Sequence, residues 1–348
     1  MAKAVIIGAG LMGSAMAWPL SDNGFDVALV GTHLDDAVIE KCRRKENHPK
    51  LFRKLPEHVK PYYLSELDEA LVGADLILGG VSSPGVDWLA DILSTRVKAD
   101  QYVMMITKGL RIDPEGGITL FPDIIASRFP ESIRTRVFPV AVGGPCIAGE
   151  LAARRPTCVM LGSRDLASAQ ACAQMVSTGY YHPRPTNDLL SLELGVAMKN
   201  AFTVAVGMAY GMLTTDETKA DMHNTAAALF AEGCHEIGGL MRLAGGDERF
   251  SSALPGAGDL YVTSVGGRTI TLGRLLGSGK SYVQAEVMLQ GVTLESVQII
   301  REMSRALAIW EKKGLVGARS FPLLRMLIDV IVNGKGIAIP FDELFKGA

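Results

Sequence analysis

Cysteine is scarce in this chain, and the few present form no pattern. Cys42, Cys146, Cys158, Cys172 and Cys234 are odd in number and widely scattered over 348 residues. Neither a zinc spacing nor a disulfide framework emerges, so a reducing compartment, most simply the cytoplasm, is expected. Charge of one sign is not in excess either: 35 Lys and Arg face 37 Asp and Glu, a formal net charge of −2. No basic stripe points to nucleic acid, and no acidic tail reads as a disordered arm. Long hydrophobic runs are wanting; the nearest to a bilayer span is "LLRMLIDVIV" at residues 323–332, which is too short. No internal repeat or low-complexity linker is visible. The opening "MAKAVIIGAGLMGSAMAWPL" has the lysine and apolar stretch of a signal peptide, but glycines break it at Gly8, Gly10 and Gly13. A strand, a tight turn and a helix account for it better.

What is present is an ordinary globular composition, 48% hydrophobic and 21% charged. The length suggests two domains. Short apolar runs alternate with amphipathic stretches through the first half: "AVIIG", "FDVALVG", "ADLILGGV", "QYVMMIT", "VFPVAVG", "TCVMLG" and "YYHPRPT". Such alternation implies βαβ units and a mostly parallel sheet. Pro19 should kink the first helix or end it early. After about Asn187 the strands stop. "NDLLSLELGVAMKNAFTVAVGMAYGM" reads as one long helix with an Asn or Asp cap, and "ETKADMHNTAAALFAEGCHEIGGLMRLAGGD" as a second, ending at Gly-Gly. All that follows reads as helical except residues 254–268, whose glycines suggest a pliable loop. The expected fold is therefore α/β, an N-terminal Rossmann-like doubly wound sheet over 1–187 with an all-α C-terminal domain over 188–348.

"VIIGAGLMGSAM" fits Gly-x-Gly-x-x-Gly directly after a strand and at the opening of a helix. In this pattern one glycine makes the turn, a second lets the backbone approach a pyrophosphate, and the third lets the helix pack on its strand. Gly8, Gly10, Leu11, Met12 and Gly13 are accordingly candidate cofactor contacts. The choice between NAD and NADP stays open. Gly31, Thr32 and His33 stand where a ribose-binding acid is usual, and Asp35 and Asp36 come slightly late. Thr32 and His33 could instead donate to a 2′-phosphate, with Arg43 or Arg44 within reach.

Two lysines sit where lysine is costly unless paired or used. Lys199 interrupts an apolar helix in "LELGVAMKNAF", and Lys108 follows an apolar strand in "MMITKGL". A lysine whose ammonium snorkels to water is the plainer explanation for Lys199. The C-terminal ends of parallel strands, where Lys108 falls, are ligand-binding positions in α/β proteins.

Taken in order, "GAGLMG", "ITKGL", "GGPCIAGE", "ELGVAMKNAF", "GAGDLYVTSVGGRT" and "QGVTLES" resemble the NAD(P)-dependent glycerol-3-phosphate dehydrogenases, from residue 4 to about 335. The resemblance implies an N-terminal domain holding NAD or NADP and a helical domain closing over dihydroxyacetone phosphate or glycerol 3-phosphate. It implies that Lys199 is the acid–base group, that Asp259 holds and charge-tunes it, and that Lys108 positions the substrate oxygen beside the cofactor. Thr263 and Arg268 fall on the phosphate-gripping positions, Arg268 also touching the cofactor, and Glu295 matches a glutamate near the nicotinamide half. The chemistry agrees. A ketone receiving hydride needs a proton donor at its oxygen, and a phosphate suits an arginine fork with helix-start N–H groups, here if Thr269 caps the next helix.

Three positions depart from the family pattern. Cys146 stands for Ser or Asn after "GGP", Thr269 for Asn after the arginine, and Ser296 for Gly after the glutamate. Cys146 and Thr269 touch the substrate region, and a thiol is a weaker donor than a hydroxyl. A same-fold dehydrogenase acting on another small phosphorylated or acidic hydroxy compound is the alternative, and a non-catalytic nucleotide-binding regulator a more distant one. The expected partners are a phosphorylated small molecule and a second copy of the chain, with no nucleic acid and no membrane span.

Overall fold

The structure is a computed structural model that describes residues 1–212, 222–290 and 294–344. Two compact units divide the chain: residues 1–108 with 120–192, and residues 109–119 with 193–348.

The first unit carries an eight-stranded sheet. Its strands are β1 (Lys3–Ile7), β2 (Asp26–Val30), β3 (Val59–Tyr62), β4 (Leu76–Gly79) and β5 (Tyr102–Met105), then β8 (Val140–Gly143), β9 (Thr157–Gly162) and β10 (Tyr181–Thr186). Between β5 and β8 the short strands β6 (Leu110–Ile112) and β7 (Ile118–Leu120) form a separate pair. The sheet order is β10-β9-β8-β5-β4-β1-β2-β3, parallel throughout except that β8 and β9 run antiparallel. Both faces are covered, as a parallel sheet requires. Along β1, Ala4 and Ile6 join one apolar core while Val5 and Ile7 join another, and all four are fully buried. Ile7 is in register with Val30 of β2 and Gly79 of β4, so the strand that delivers the glycine turn lies central in the sheet.

Pro19 acts much as its chemistry demands. The first helical stretch is interrupted at Met16, giving Leu11–Ala15 and Ala17–Asp22. Proline has no N–H to return to the carbonyl of Ala15, so the ladder breaks just ahead of it.

The helix Leu189–Gly211, which belongs to the second unit from Glu193 onward, is opened by Asp188, whose carboxylate accepts the Ser191 N–H at 2.9 Å. This helix corrects the reading that no segment is long and apolar enough to cross a membrane. It passes by length and composition, and 94% of the qualifying window is buried inside the protein. The second long helix is described over His223–Leu243 and closes at Gly245 (φ 82°), with the Gly246 N–H returning to the Met241 carbonyl at 2.8 Å. Residues 217–221 of its expected opening lie outside the described residues, as do 291–293 of "QGVTLES".

The compact units part after Leu192, for a packing reason. A Cβ on Gly162 of β9 would meet a methyl of Leu192 at 2.6 Å, so the first turn of the long helix lies on the sheet. Residues 109–119 belong with the helices because three anchors hold them there. The Gly109 N–H donates to Glu193 at 3.0 Å, the Ile112 N–H to Glu302 at 2.9 Å, and the Trp310 indole to the Gly116 carbonyl at 2.8 Å.

Residues 254–268 are not a loop. Leu254–Gly258 winds as a π-helical turn, Asp259–Val265 as an α-helix, and a new helix, Arg268–Gly277, begins directly after. Gly256 serves close packing, while a Cβ on Gly266 or Gly267 would meet open space. A Cβ on Gly256 would stand 2.1 Å from the Ser251 carbonyl oxygen.

Candidate active site

In the first unit, the turn after β1 divides its glycine roles cleanly. Gly8 has φ 116°, donates its N–H to Val30 at 2.8 Å, and would drive a Cβ to 2.6 Å from the Gly80 carbonyl oxygen. Gly13 would drive a Cβ to 2.3 Å from the Gly8 carbonyl, so the helix lies directly on the turn. Gly10 differs: a Cβ there would meet nothing nearer than 4.0 Å. Its bare backbone faces open space, and no side chain caps the helix that starts at Leu11. Turn, open cradle and helix contact are what a dinucleotide pyrophosphate needs, so these residues fit that group. Leu11 is exposed and Met12 half-buried at the same helix start.

The end of β2 is arranged otherwise than expected. Thr32 is 8% exposed and turns its hydroxyl inward, donating to Asp35 Oδ2 at 2.7 Å. That commits the proton a 2′-phosphate would have taken. Asp35 Oδ2 also accepts the N–H groups of Thr32 (2.9 Å) and Ala9 (3.2 Å), tying the tip of β2 to the glycine turn. Its place in the sequence looked merely late for a ribose ligand; only the fold shows this inward use. Arg43 and Arg44 do not reach the site. Arg43 lies over Tyr63 and pairs with Glu66, and Arg44 pairs with Glu40 one helical turn away. His33 stays exposed, its ring edge-on to Trp88 at 6.0 Å between centroids.

Lys108, half-buried, lies beyond the C-terminal end of β5. Cys146, also half-buried, follows β8 and packs against the sheet's core.

The second unit brings Lys199, Asp259 and Thr263 together. Lys199 is 7% exposed, and its Nζ lies 3.1 Å from Asp259 Oδ1 and 2.6 Å from Thr263 Oγ1. Asp259 is 2% exposed, so this is a buried ion pair and not an ammonium snorkelled to water. The sequence builds it through Gly195. Residues four apart share a helix face, so Gly195 and Lys199 stand one turn apart on one side of the long helix. Pro255 lies against Gly195, where a Cβ would come within 3.2 Å of it, and that approach carries Asp259 on to Lys199. Thr263, one turn after Asp259, accepts from Lys199 and donates its own proton to the Asp259 carbonyl at 2.7 Å. With that proton committed, Thr263 belongs to the lysine cluster and has no donor left for a phosphate.

Arg268 is the first residue of its helix and exposed, and its side chain makes no hydrogen bond or ion pair among the described residues. Thr269 does not cap this helix. Gly267 does, at φ 105°, a conformation that β-branched threonine cannot take without strain. No side chain caps the first turn, so the amides of Arg268, Thr269 and Ile270 lack intrahelical partners. This helix is locked to the Lys199 helix by paired glycines. A Cβ on Gly211 would stand 2.1 Å from the Arg274 carbonyl oxygen, and one on Gly277 2.1 Å from that of Met208. Arg268 is thus held on a rigid support relative to Lys199. Glu295, half-buried, opens the helix Glu295–Lys312.

A residue not anticipated from sequence is Glu193, a fully buried acid on the Lys199 helix that holds the Gly109 N–H. A charged residue within an apolar helical run was the available signal, and Lys199 had drawn it off.

Comparison with known proteins agrees across both units. Residues 3–169 match the family model for the NAD-dependent glycerol-3-phosphate dehydrogenase N-terminus, and residues 188–339 the one for its C-terminus. An NADP(+)-dependent glycerol-3-phosphate dehydrogenase of Archaeoglobus fulgidus is 34% identical over 80% of this chain and 81% of that protein. A glycerol-3-phosphate dehydrogenase [NAD(P)+] of Bacillus cytotoxicus is 30% identical over 97% of this chain and 93% of its own. The crystal structure of a glycerol-3-phosphate dehydrogenase from Coxiella burnetii superposes with a TM-score of 0.78 at 23% identity, covering 99% of this chain and 97% of that one; at this identity the likeness is one of fold.

Proposed function

The chain belongs to the NAD-dependent glycerol-3-phosphate dehydrogenase family, and on that premise we propose that it interconverts dihydroxyacetone phosphate and glycerol 3-phosphate with NAD or NADP, using Lys199 as acid and base. The observation that carries this reading is the buried contact of Lys199 Nζ with Asp259 at 3.1 Å and Thr263 at 2.6 Å. A bound nicotinamide supplies or accepts the hydride. Gly8, Gly10, Leu11, Met12 and Gly13 would hold its pyrophosphate, with Lys108, Glu295 and Arg268 assigned to it by family likeness.

The remaining chemistry falls to the chain's own groups. A ketone oxygen gaining charge during reduction needs a proton, and Lys199 donates one; in the reverse direction it takes the hydroxyl proton back. Asp259 and Thr263 hold the ammonium in one orientation, so little reorganisation is needed when charge develops. Arg268 and the uncapped amides of its helix receive the substrate phosphate, an arginine fork beside a helix N-terminus. Family likeness alone assigns Lys108 to the reacting oxygen and Cys146 to the substrate region. The five cysteines, none of them in a disulfide, support a cytoplasmic location, and a homodimer is proposed alongside it.

The decisive assay follows cofactor oxidation with dihydroxyacetone phosphate against a panel of ketoses, keto acids and their phosphates. Turnover led by dihydroxyacetone phosphate supports the reading. Cys146 and Thr269, which depart from the family pattern, favour a second one if another phosphorylated or acidic compound leads the panel.

A further inference from the structure

We propose that His48 is a positioning residue for the dinucleotide, acting through the peptide of Ala9 at the centre of the Gly8–Gly10 turn. This rests on the dinucleotide reading of that turn. His48 is fully buried although it lies in the connection after the helix Asp36–Arg43. The chain turns sharply there, with His48 bridged to Arg53 and Leu51 buried in the same core as Ala9 and Leu29. Burying an imidazole is costly unless its nitrogens are satisfied.

The partners decide where its proton lies. Nδ1 faces the backbone N–H groups of Lys50 and Leu51, each at 3.2 Å, and so accepts from both. In a neutral ring the proton then sits on Nε2, which lies 3.3 Å from the Ala9 carbonyl oxygen and donates to it. Burial lowers the tendency of His48 to take a second proton, with Lys50 acting in the same direction and the Ala9 carbonyl and Asp35 opposing. On the other side of the same residue, in the preceding Gly8–Ala9 peptide, the Ala9 N–H donates to Asp35 Oδ2 at 3.2 Å.

Ala9 is therefore held at both its polar atoms, by a histidine donor and a carboxylate acceptor. Gly8 has φ 116° and Gly10 has no contact nearer than 4.0 Å at its Cβ position, so neither neighbour supplies a side chain to brace this peptide. Its orientation sets the direction of the backbone entering Gly10 and the helix start. An anion site made of backbone amides depends on those amides being aimed before the ligand arrives. His48 supplies half of that bracing.

Two substitutions separate this role from a purely local one. In His48→Asn the amide oxygen can stand where Nδ1 stands, keeping the Lys50 and Leu51 bonds but not reaching Ala9. In His48→Gln the terminal amide can donate where Nε2 donates. ADP-ribose, which has the pyrophosphate but no nicotinamide, is titrated by calorimetry into the whole protein, and melting temperatures are recorded in parallel. His48→Asn should weaken ADP-ribose binding about fivefold or more, the worth of a buried neutral hydrogen bond, and His48→Gln should restore it to within about twofold of the parent. Parent-like binding by His48→Asn overturns the proposal, as does a folded His48→Gln that binds as weakly as His48→Asn. Should His48→Asn not fold, the parent decides by ring 15N resonances. The proton should be found on Nε2, with its resonance moving when ADP-ribose is added; a proton on Nδ1, or no movement, overturns the proposal. A parent that fails to bind ADP-ribose removes the dinucleotide reading itself, and this inference with it.

Discussion

Gly10 in the glycine-rich stretch at 8–13 and Gly256 in that at 254–267 have opposite uses. At the first, Gly8 takes a conformation other residues avoid, and Gly10 leaves its backbone bare toward open space. At the second, most of the stretch is wound into helix, and Gly256 is buried against the Ser251 carbonyl. Gly10 leaves backbone open where the dinucleotide is proposed to bind, whereas Gly256 lets backbone pack closely beside the turn that carries Asp259. A glycine count does not distinguish them, because both needs are met by the same missing Cβ. What surrounds each glycine in space does.

The largest effect expected is at the product of the second region. Lys199→Ala should lower kcat by roughly a hundredfold or more while NADH binding, measured by fluorescence titration, stays near the parent value. Near-normal turnover would leave the buried pair a structural feature only. Next comes the packing use of glycine. Gly277→Ala should destabilise by about 3 kcal/mol in denaturant unfolding, because its Cβ would sit 2.1 Å from a backbone oxygen and neither helix can yield cheaply. Gly10→Ala should do the reverse. Its Cβ has room, so folding stability should be unchanged, while NADH affinity falls about tenfold as the cradle fills. If Gly10→Ala instead unfolds the protein, the two regions are alike after all. The smallest effect concerns cofactor choice. Asp35 is occupied by Thr32 and Ala9, so that carboxylate is not free to reject a 2′-phosphate, and kcat/KM for NADPH should lie within about tenfold of that for NADH. An enzyme inert with NADPH would show that Asp35 leaves these bonds when ribose binds.

Much of the first region was legible from residues alone. Alternating apolar runs imply the parallel sheet, and the spacing of Gly8, Gly10 and Gly13 directly after a strand carries its own physical meaning. The second region was legible only through family likeness, which joined Lys199 to Asp259 across sixty residues of chain. Its secondary structure was misread because glycine propensity argues against helix, and a tertiary contact overrides it, that of Gly195 with Pro255. Thr269 was misassigned as a cap for a related reason. Gly267 meets the backbone requirement of that position, and the requirement shows only in φ. The long-range commitments of Arg43 to Glu66 and of Thr32 to Asp35 were hidden because either partner alone looks available.

The claim that ties the second region to function is that Arg268, following Gly266 and Gly267 at its end, receives a substrate phosphate. Steady-state kinetics of the parent and of Arg268→Ala, on dihydroxyacetone phosphate and on dihydroxyacetone, test it most directly. The account predicts that the parent prefers the phosphorylated compound, and that Arg268→Ala loses about 2 kcal/mol in kcat/KM on it, with no loss on dihydroxyacetone. Equal losses on both compounds, or a parent indifferent to the phosphate, would contradict it.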